Sequence, residues 1–215
     1  MEYEIVSSLT AQDYKERLAD RWRRSGYIFF RPQCNSCNAC EPIRTIVEDF
    51  CPNRSQRRVL KANETVTSFK IVTPQLTEEH IDLYDRHHRH HANQKNWPKP
   101  HRERIIEHLR MLSEKSYPTE EWDFFHAEKL VAVCYVDVIA DGLSGIYFYH
   151  DPDLRNLSLG TWMCLSMIER ARTLALPYIY LGYLVRGCRS MEYKANFQPY
   201  EILGLDGIWR RVVQK

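Results

Sequence analysis

The chain of 215 residues is long enough for one large domain or two small ones, and at 25.7 kDa it can bury a sizeable core. With 44% hydrophobic and 27% charged residues and a net charge of +2, it is not a disordered, collagen-like or low-complexity chain, and its global charge points to no partner. No apolar run reaches the roughly 18–20 residues of a membrane span, and the acidic, polar start lacks a signal pattern, so a soluble cytoplasmic protein with no membrane partner is expected.

Residues 10–25 predict a helix: Thr10 suits the cap, Tyr14, Leu18 and Trp22 recur at fourfold spacing, and Gly26 stops it. Residues 27–31 are β-prone, 34–40 form a cysteine loop, and the partial alternation of 42–50 predicts a strand. A helix beginning near Ser55 puts Arg54, Arg57, Arg58 and Lys61 at i, i+3, i+4 and i+7, on one face. Like charges so placed repel by roughly a few tenths of a kcal/mol per pair. Such a helix gains most when a polyanion or acidic ligand meets that face; a solvated basic surface is the plainer alternative. Residues 17–61 as a whole hold ten arginines and lysines against four acidic residues.

Residues 66–72 predict a strand, with helices over 77–92 and 101–114. His87 and His91, at i and i+4 in the first helix, could hold a metal. Spacing supplies no third ligand, and exposed histidines beside the Trp97-Pro98 loop are the plainer reading. Strands then follow over 122–127, 130–138 and 143–149, with turns at Glu128-Lys129 and Asp141-Gly142. A helix over 158–174, a strand over 177–185, a short helix over 189–197 and strands over 201–203 and 208–212 complete the chain. This is a mixed α/β (α+β) pattern whose element order is similar to the GNAT acetyltransferase-like architecture. The expected division is a cysteine-loop and basic-helix region, 1–62, and a GNAT-like transfer domain, 63–215.

Seven cysteines in such a chain read as thiols or metal ligands rather than disulfides, and Cys134 and Cys164 lie in apolar runs as core residues. Cys34, Cys37 and Cys40 make two successive C-x-x-C steps, three soft donors suited to zinc or an iron–sulfur cluster; a redox-sensitive or packed turn is the alternative. An extended strand would carry Cys51 about 30 Å away. The fourth ligand would then come from Cys188, a histidine or a residue upstream of Met1.

The helix start at Ser158, Gly160 and Thr161 offers unpaired N–H groups to an anion, with capping by Ser158 as the alternative. The segment from Tyr180 to Glu201 is the densest in chemistry: a strand ending in Tyr183, a loop with Arg186 and Arg189, and a short helix with Glu192, Tyr193 and Lys194. Strand ends in α/β sheets bind ligands, tyrosine hydroxyls can orient groups or donate protons, and arginine or lysine can pair a carboxylate. Packing of a final helix is the alternative for these side chains.

A set of segments in fixed order resembles the tRNA-dependent arginyl/leucyl protein transferases, and within them the bacterial aspartate/glutamate leucyltransferase branch. These are Trp22-Arg-Arg-Ser-Gly26, Phe30-Arg-Pro32, Cys34-x-x-Cys37-x-Ala-Cys40-x-Pro42-x-Arg44, Ser55-Gln-Arg-Arg58, Ser158-Leu-Gly-Thr161, Tyr180-Leu-Gly-Tyr183 and Met191-x-Tyr-Lys194-x-x-Phe197-x-Pro199. The resemblance implies an enzyme that moves an amino acid, leucine or arginine, from aminoacyl-tRNA to the α-amine of proteins beginning with Asp or Glu, marking them for N-degron degradation. It also implies a GNAT-like transfer domain, a metal- or cluster-binding cysteine region, and a further cysteine-bearing segment ahead of the position of Met1.

The aminoacyl ester is already activated, so transfer needs no added cofactor. An α-amine of pKa near 7.7–8.0 needs only modest base help. On this reading Asp153 and Glu192 accept the amine proton, and Tyr183 or Tyr193 orients or protonates the leaving oxygen. Arg57, Arg58, Arg186 and Lys194 bind the acidic acceptor, while Ser158, Gly160 and Thr161 face the donor. Arg21, Arg23, Arg24, Arg54 and Lys61 meet tRNA phosphates. The competing readings are an acetyl-CoA-dependent GNAT enzyme, against which residues 155–160 carry only one glycine, and a non-catalytic RNA-binding module.

Overall fold

The computed structural model of the chain describes residues 1–95, 98–113 and 117–212. Trp97 and Glu114, which the sequence reading put in a loop and at a helix end, lie outside them. Strands β1 (Glu2–Ile5), β2 (Arg23–Ser25) and β3 (Ile28–Arg31) form a small antiparallel sheet in the order β1-β3-β2, and helix α1 (Ala11–Ala19) packs on it through Tyr14 and Leu18. Thr10 and Asp13 close a capping box at the start of α1. The helix ends earlier than the expected residue 25. The backbone turns left-handed at Arg21 (φ 67°), and Arg23 and Arg24 leave as β2 because their guanidinium groups find buried partners.

The remaining elements are β4 (Glu41–Ile46), α2 (Arg54–Asn63), β5 (Thr67–Val72), α3 (Glu78–Lys95), α4 (Arg102–Leu112), β6 (Thr119–His126), β7 (Lys129–Ile139), β8 (Gly142–His150), α5 (Leu159–Thr173), β9 (Tyr178–Leu184), α6 (Arg189–Glu192), a 3-10 turn over Tyr193–Asn196, β10 (Tyr200–Leu203) and β11 (Trp209–Val212). Eight strands make one sheet in the order β11-β10-β4-β9-β8-β7-β6-β5. Its neighbours are antiparallel except for β8 and β9. α2 and α5 cover one face and α3 and α4 the other. With both faces covered, the middle strand β7 is apolar nearly throughout: Cys134 and Val136 serve one layer, Val133 and Tyr135 the other.

A division at residue 62 runs through this sheet, since β4 is an inner strand between β9 and β10. The N-terminal region is also tied in by charge. Arg24 forks onto Asp137 of β7, Nε to Oδ2 at 2.7 Å and Nη2 to Oδ1 at 2.8 Å, and neither side chain reaches solvent. Thr119 donates to the same carboxylate at 2.7 Å. Arg44 on β4 pairs with Glu201 at 2.6 Å and lies over the rings of Tyr178 and Trp209. β8 and β9 meet closely at their starts: a Cβ at Gly142 would stand 2.5 Å from the Tyr178 carbonyl oxygen, so only glycine fits there.

Removing one partner of a buried ion pair leaves the other charge uncompensated. Asp137→Ala should therefore cost about 3–5 kcal/mol of stability, read from urea unfolding. A loss below about 1 kcal/mol would show that the pair does not hold the two sheets together.

Candidate active site

The site begins where two parallel strands part. β8 and β9 pair from Gly142–Tyr178 to Ser144–Tyr180 and no further, although β8 runs on to His150 and β9 to Leu184. Beyond that point β8 stays with β7, and β9 stays with β4. The wedge between them holds a cavity of about 230 Å³. Apart from the polar groups that also reach it, Tyr147 among them, its side-chain walls are apolar: Ile146 and Phe148 beside Gly145 on β8, Leu181 from β9, Met163 and Met167 from α5, and Cys134 from β7. Tyr193 and Lys194 supply the polar end, and no carboxylate lines it.

Two carbonyl groups of β9 beyond the parting are taken by cations. Lys194 Nζ donates to the Tyr183 carbonyl at 2.6 Å, and Arg23 Nη2 donates to the Gly182 carbonyl at 3.1 Å. Gly182 has φ of +82°, the left-handed region that favours glycine. Burial, with Arg23 nearby, lowers Lys194 to about 8. Tyr193 is exposed along much of its length, but its hydroxyl end is enclosed beside the cavity, which raises the phenol and keeps it neutral at working pH.

α5 starts against the same cavity. Ser158 is left-handed (φ 49°) and its side chain caps nothing, so the capping alternative does not hold. The Ser158 carbonyl accepts from Thr161 and Trp162, while the N–H groups of Leu159 and Gly160 make no backbone bond among the described residues. A Cβ on Gly160 would lie 3.7 Å from the Phe148 ring, which puts this helix start at the cavity wall. α2 is fastened on both sides of the site: Asn63 Nδ2 donates to the Leu157 carbonyl at 2.8 Å, and Gln56 Nε2 to the Asn196 carbonyl at 3.0 Å. Arg54, Arg58 and Lys61 stand exposed on this helix and make no side-chain hydrogen bond or ion pair among the described residues. Arg57 donates to the Pro52 carbonyl at 2.6 Å.

Of the residues singled out from sequence, Lys194 and Tyr193 line the cavity, and Gly160 stands against Phe148 of its wall, with Ser158 and Thr161 beside it. Others are structural. Tyr183 is buried and its hydroxyl donates to the Arg21 carbonyl at 2.6 Å, away from the cavity. Arg21 bonds the Cys40 and Leu203 carbonyls, and Arg23 and Arg24 are buried and bonded, so these three do not present a surface to phosphate. Glu192 faces solvent and accepts the Gly187 N–H at 2.6 Å. Asp153 is exposed in the turn after β8. Neither carboxylate lines the cavity, and Arg186 is an exposed partner of Glu41 at 3.1 Å.

His87 and His91 are half-buried rather than exposed, and His87 lies against His150 of β8. The residues missed from sequence are the apolar walls. Met163 and Met167, one turn apart, and a glycine inside β8 were their only signal.

Cys34 and Cys37 are exposed and face each other across an isolated antiparallel bridge. Burial and the neighbouring thiols of Cys34 and Cys37 push the Cys40 thiol up. Three soft donors suit zinc or an iron–sulfur cluster in kind, but their sulfurs do not all lie within 4.8 Å of one another, so the loop as it stands is not a closed ligand set.

A strand–helix–strand unit parted around a cavity, with a free helix start at its wall, is the frame of a GNAT-like acyl-transfer fold. Solved structures agree on that fold. The chain aligns with the C-terminal domain of a putative lysylphosphatidylglycerol synthetase from Agrobacterium fabrum at TM-score 0.52 and 13% identity, covering 80% of this chain and 58% of that one. It aligns with FemX at TM-score 0.52 and 7% identity, covering 86% and 64%. The family models described as "Arginine-tRNA-protein transferase, N terminus" and "C terminus" match residues 2–58 and 79–204. Aspartate/glutamate leucyltransferases from Campylobacter jejuni and Marinobacter nauticus are 36% and 39% identical over 94% and 93% of this chain, and 84% and 82% of theirs. The chain belongs to the arginine-tRNA-protein transferase family and is a tRNA-dependent aminoacyltransferase.

Tyr183→Phe tests the structural role given to that hydroxyl. Stability should fall by about 1–2 kcal/mol while kcat stays within about threefold of wild type. A folded variant with kcat reduced about a hundredfold would return Tyr183 to the chemistry.

Proposed function

We propose that the chain transfers leucine from leucyl-tRNA to the α-amine of proteins that begin with Asp or Glu, as a cytoplasmic step in marking them for degradation. The observation that carries the donor choice is the apolar cavity between β8 and β9. Met163, Met167, Leu181 and Phe148 suit an aliphatic side chain, and a guanidinium there would lose its water with no carboxylate to meet it. The names of the curated relatives support the acidic acceptor and the leucyl donor.

In this reading the leucyl side chain fills the cavity and its ester lies at the polar end. The neutral α-amine of the acceptor attacks the ester carbonyl, the bond to the ribose oxygen breaks, and an amide bond forms. Lys194 gives a proton to the leaving oxygen, and the attacking nitrogen returns one to the now neutral lysine. The free N–H groups at the start of α5 hold a terminal phosphate of the tRNA. Arg54 and Lys61 continue that contact along α2, and Arg57 with Arg58 or Arg186 is the cationic ground for an acidic acceptor. Cys34, Cys37 and Cys40 would hold a zinc or cluster as a fastening of the β3–β4 connection, apart from the transfer chemistry.

Labelled leucyl-tRNA should donate to Asp and Glu peptides, with arginyl-tRNA inert and Lys or Ala peptides unlabelled. Transfer of arginine at equal efficiency would overturn the cavity argument. The pH profile tests Lys194. The rate should rise as the acceptor amine deprotonates and fall above about 8 as Lys194 loses the proton it must donate. Lys194→Arg keeps a cation that does not titrate, so the falling limb should vanish along with most of the rate; an unchanged limb would assign it elsewhere. Arg57→Ala should raise the acceptor KM selectively for Asp and Glu peptides, whereas an equal loss for peptides of every N-terminal residue would place it on the tRNA.

A further inference from the structure

On the sheet face away from the cavity, three side chains that the transfer reaction does not use converge in the interior. His80, in the first turn of α3, points Nε2 at two carboxylates of β6: Asp123 Oδ1 at 3.3 Å and Glu121 Oε1 at 3.4 Å. Glu121 and Asp123 are two apart on a strand and so share a face. All three residues are buried, with relative exposures of 3%, 0% and 4%. Among the described residues they are the one group of three such side chains whose donor atoms lie within 4.8 Å of one another.

The spacing is wider than that of a closed ion pair. A charge-assisted N–H···O bond settles at about 2.7–2.9 Å. Ligands about 2.0–2.1 Å from a tetrahedral ion stand roughly 3.3–3.4 Å from each other, which is the separation found here. The cluster is also left incomplete. Glu121 Oε2 has no hydrogen-bond partner although the residue is fully buried, and an orphaned buried carboxylate oxygen is costly. The buried Tyr135 hydroxyl is turned toward Glu121, a contact too loose to close as a hydrogen bond on the free carboxylate oxygen. The outer contacts are those that orient ligands: Thr77 Oγ1 lies 2.6 Å from His80 Nδ1, and the Gln75 N–H donates to Glu121 Oε1 at 3.2 Å.

We propose that His80, Glu121 and Asp123 bind a first-row divalent cation, with zinc the best match to one imidazole and two carboxylates, and that the ion fastens the start of α3 to β6. The ion would replace the proton on His80, whose pKa, against its burial, Asp123 and Glu121 raise to about 9, and would cancel the −2 of a neutral imidazole and two carboxylates.

The test uses the full chain, stripped of metal with a chelator and titrated with cobalt(II) chloride. Cobalt in a nitrogen–oxygen site shows visible d–d bands without the thiolate-to-cobalt charge transfer that the cysteine loop would give. One equivalent with that spectrum, displaced by zinc and accompanied by a rise in Tm, is the expected result. Glu121→Gln and His80→Gln should each remove that equivalent and leave any thiolate band in place. Should either variant fail to fold, Cys34→Ser/Cys37→Ser/Cys40→Ser must still take up the equivalent with the same bands. No cobalt uptake apart from thiolate-bound metal, or uptake unchanged in folded Glu121→Gln/His80→Gln, would overturn the proposal.

Discussion

β8 and β9 are parallel neighbours that share a ladder from Gly142–Tyr178 to Ser144–Tyr180 and then diverge with their sequences still extended. A strand that leaves its ladder inside a protein exposes backbone groups that must be satisfied. Here two cations take the carbonyls of β9, and the gap fills with methionine, leucine and phenylalanine side chains. The same divergence therefore explains the apolar cavity, the lysine at its end and the lowered basicity of that lysine. Arg23, buried without a carboxylate, is both the second plug and a neighbouring positive charge that lowers Lys194.

The N-terminal region is the wedge that holds this arrangement. β4 sits where β9 needs an antiparallel partner, Arg24 reaches across to Asp137, and Tyr183 and Arg21 bond carbonyls on either side of the join. A helix that had continued to residue 25 would have kept these arginines on a surface. The left-handed turn at Arg21 sends them inward. Arginines that looked like phosphate contacts are thus part of the frame, and the cationic surface passes to α2, whose Gln56 and Asn63 clasp the two borders of the cavity.

Most elements were legible because their signals are local. The capping residue of α1, the Asp141-Gly142 turn, and the strand–helix–strand order from β8 to β9 all follow from periodicity and turn chemistry. Lys194 and Tyr193 were picked out because strand ends of α/β sheets bind ligands, and Gly160 because a helix start offers unpaired N–H groups to an anion. The apolar walls were not, since Met163, Met167 and Leu181 look like any core residues until the strands part. The misassigned groups share one cause: Tyr183, Arg23 and Arg24 have the chemistry for catalysis or phosphate binding, and only their long-range partners show it already spent. The His80–Glu121–Asp123 group was invisible because its members come from a helix and a strand that sequence spacing does not bring together.

The account rests on the donor side chain occupying the wedge, and Gly145 gives direct access to it. A Cβ there would lie 3.6 Å from Met167, in ordinary contact, so larger side chains at this position project into the cavity space. The decisive measurement is steady-state transfer from leucyl-tRNA by Gly145→Leu, with folding checked by thermal unfolding. The account predicts a folded protein whose kcat/KM for leucyl-tRNA falls by about a hundredfold or more, while its affinity for uncharged tRNA is kept. Wild-type kcat/KM in the filled variant would contradict it.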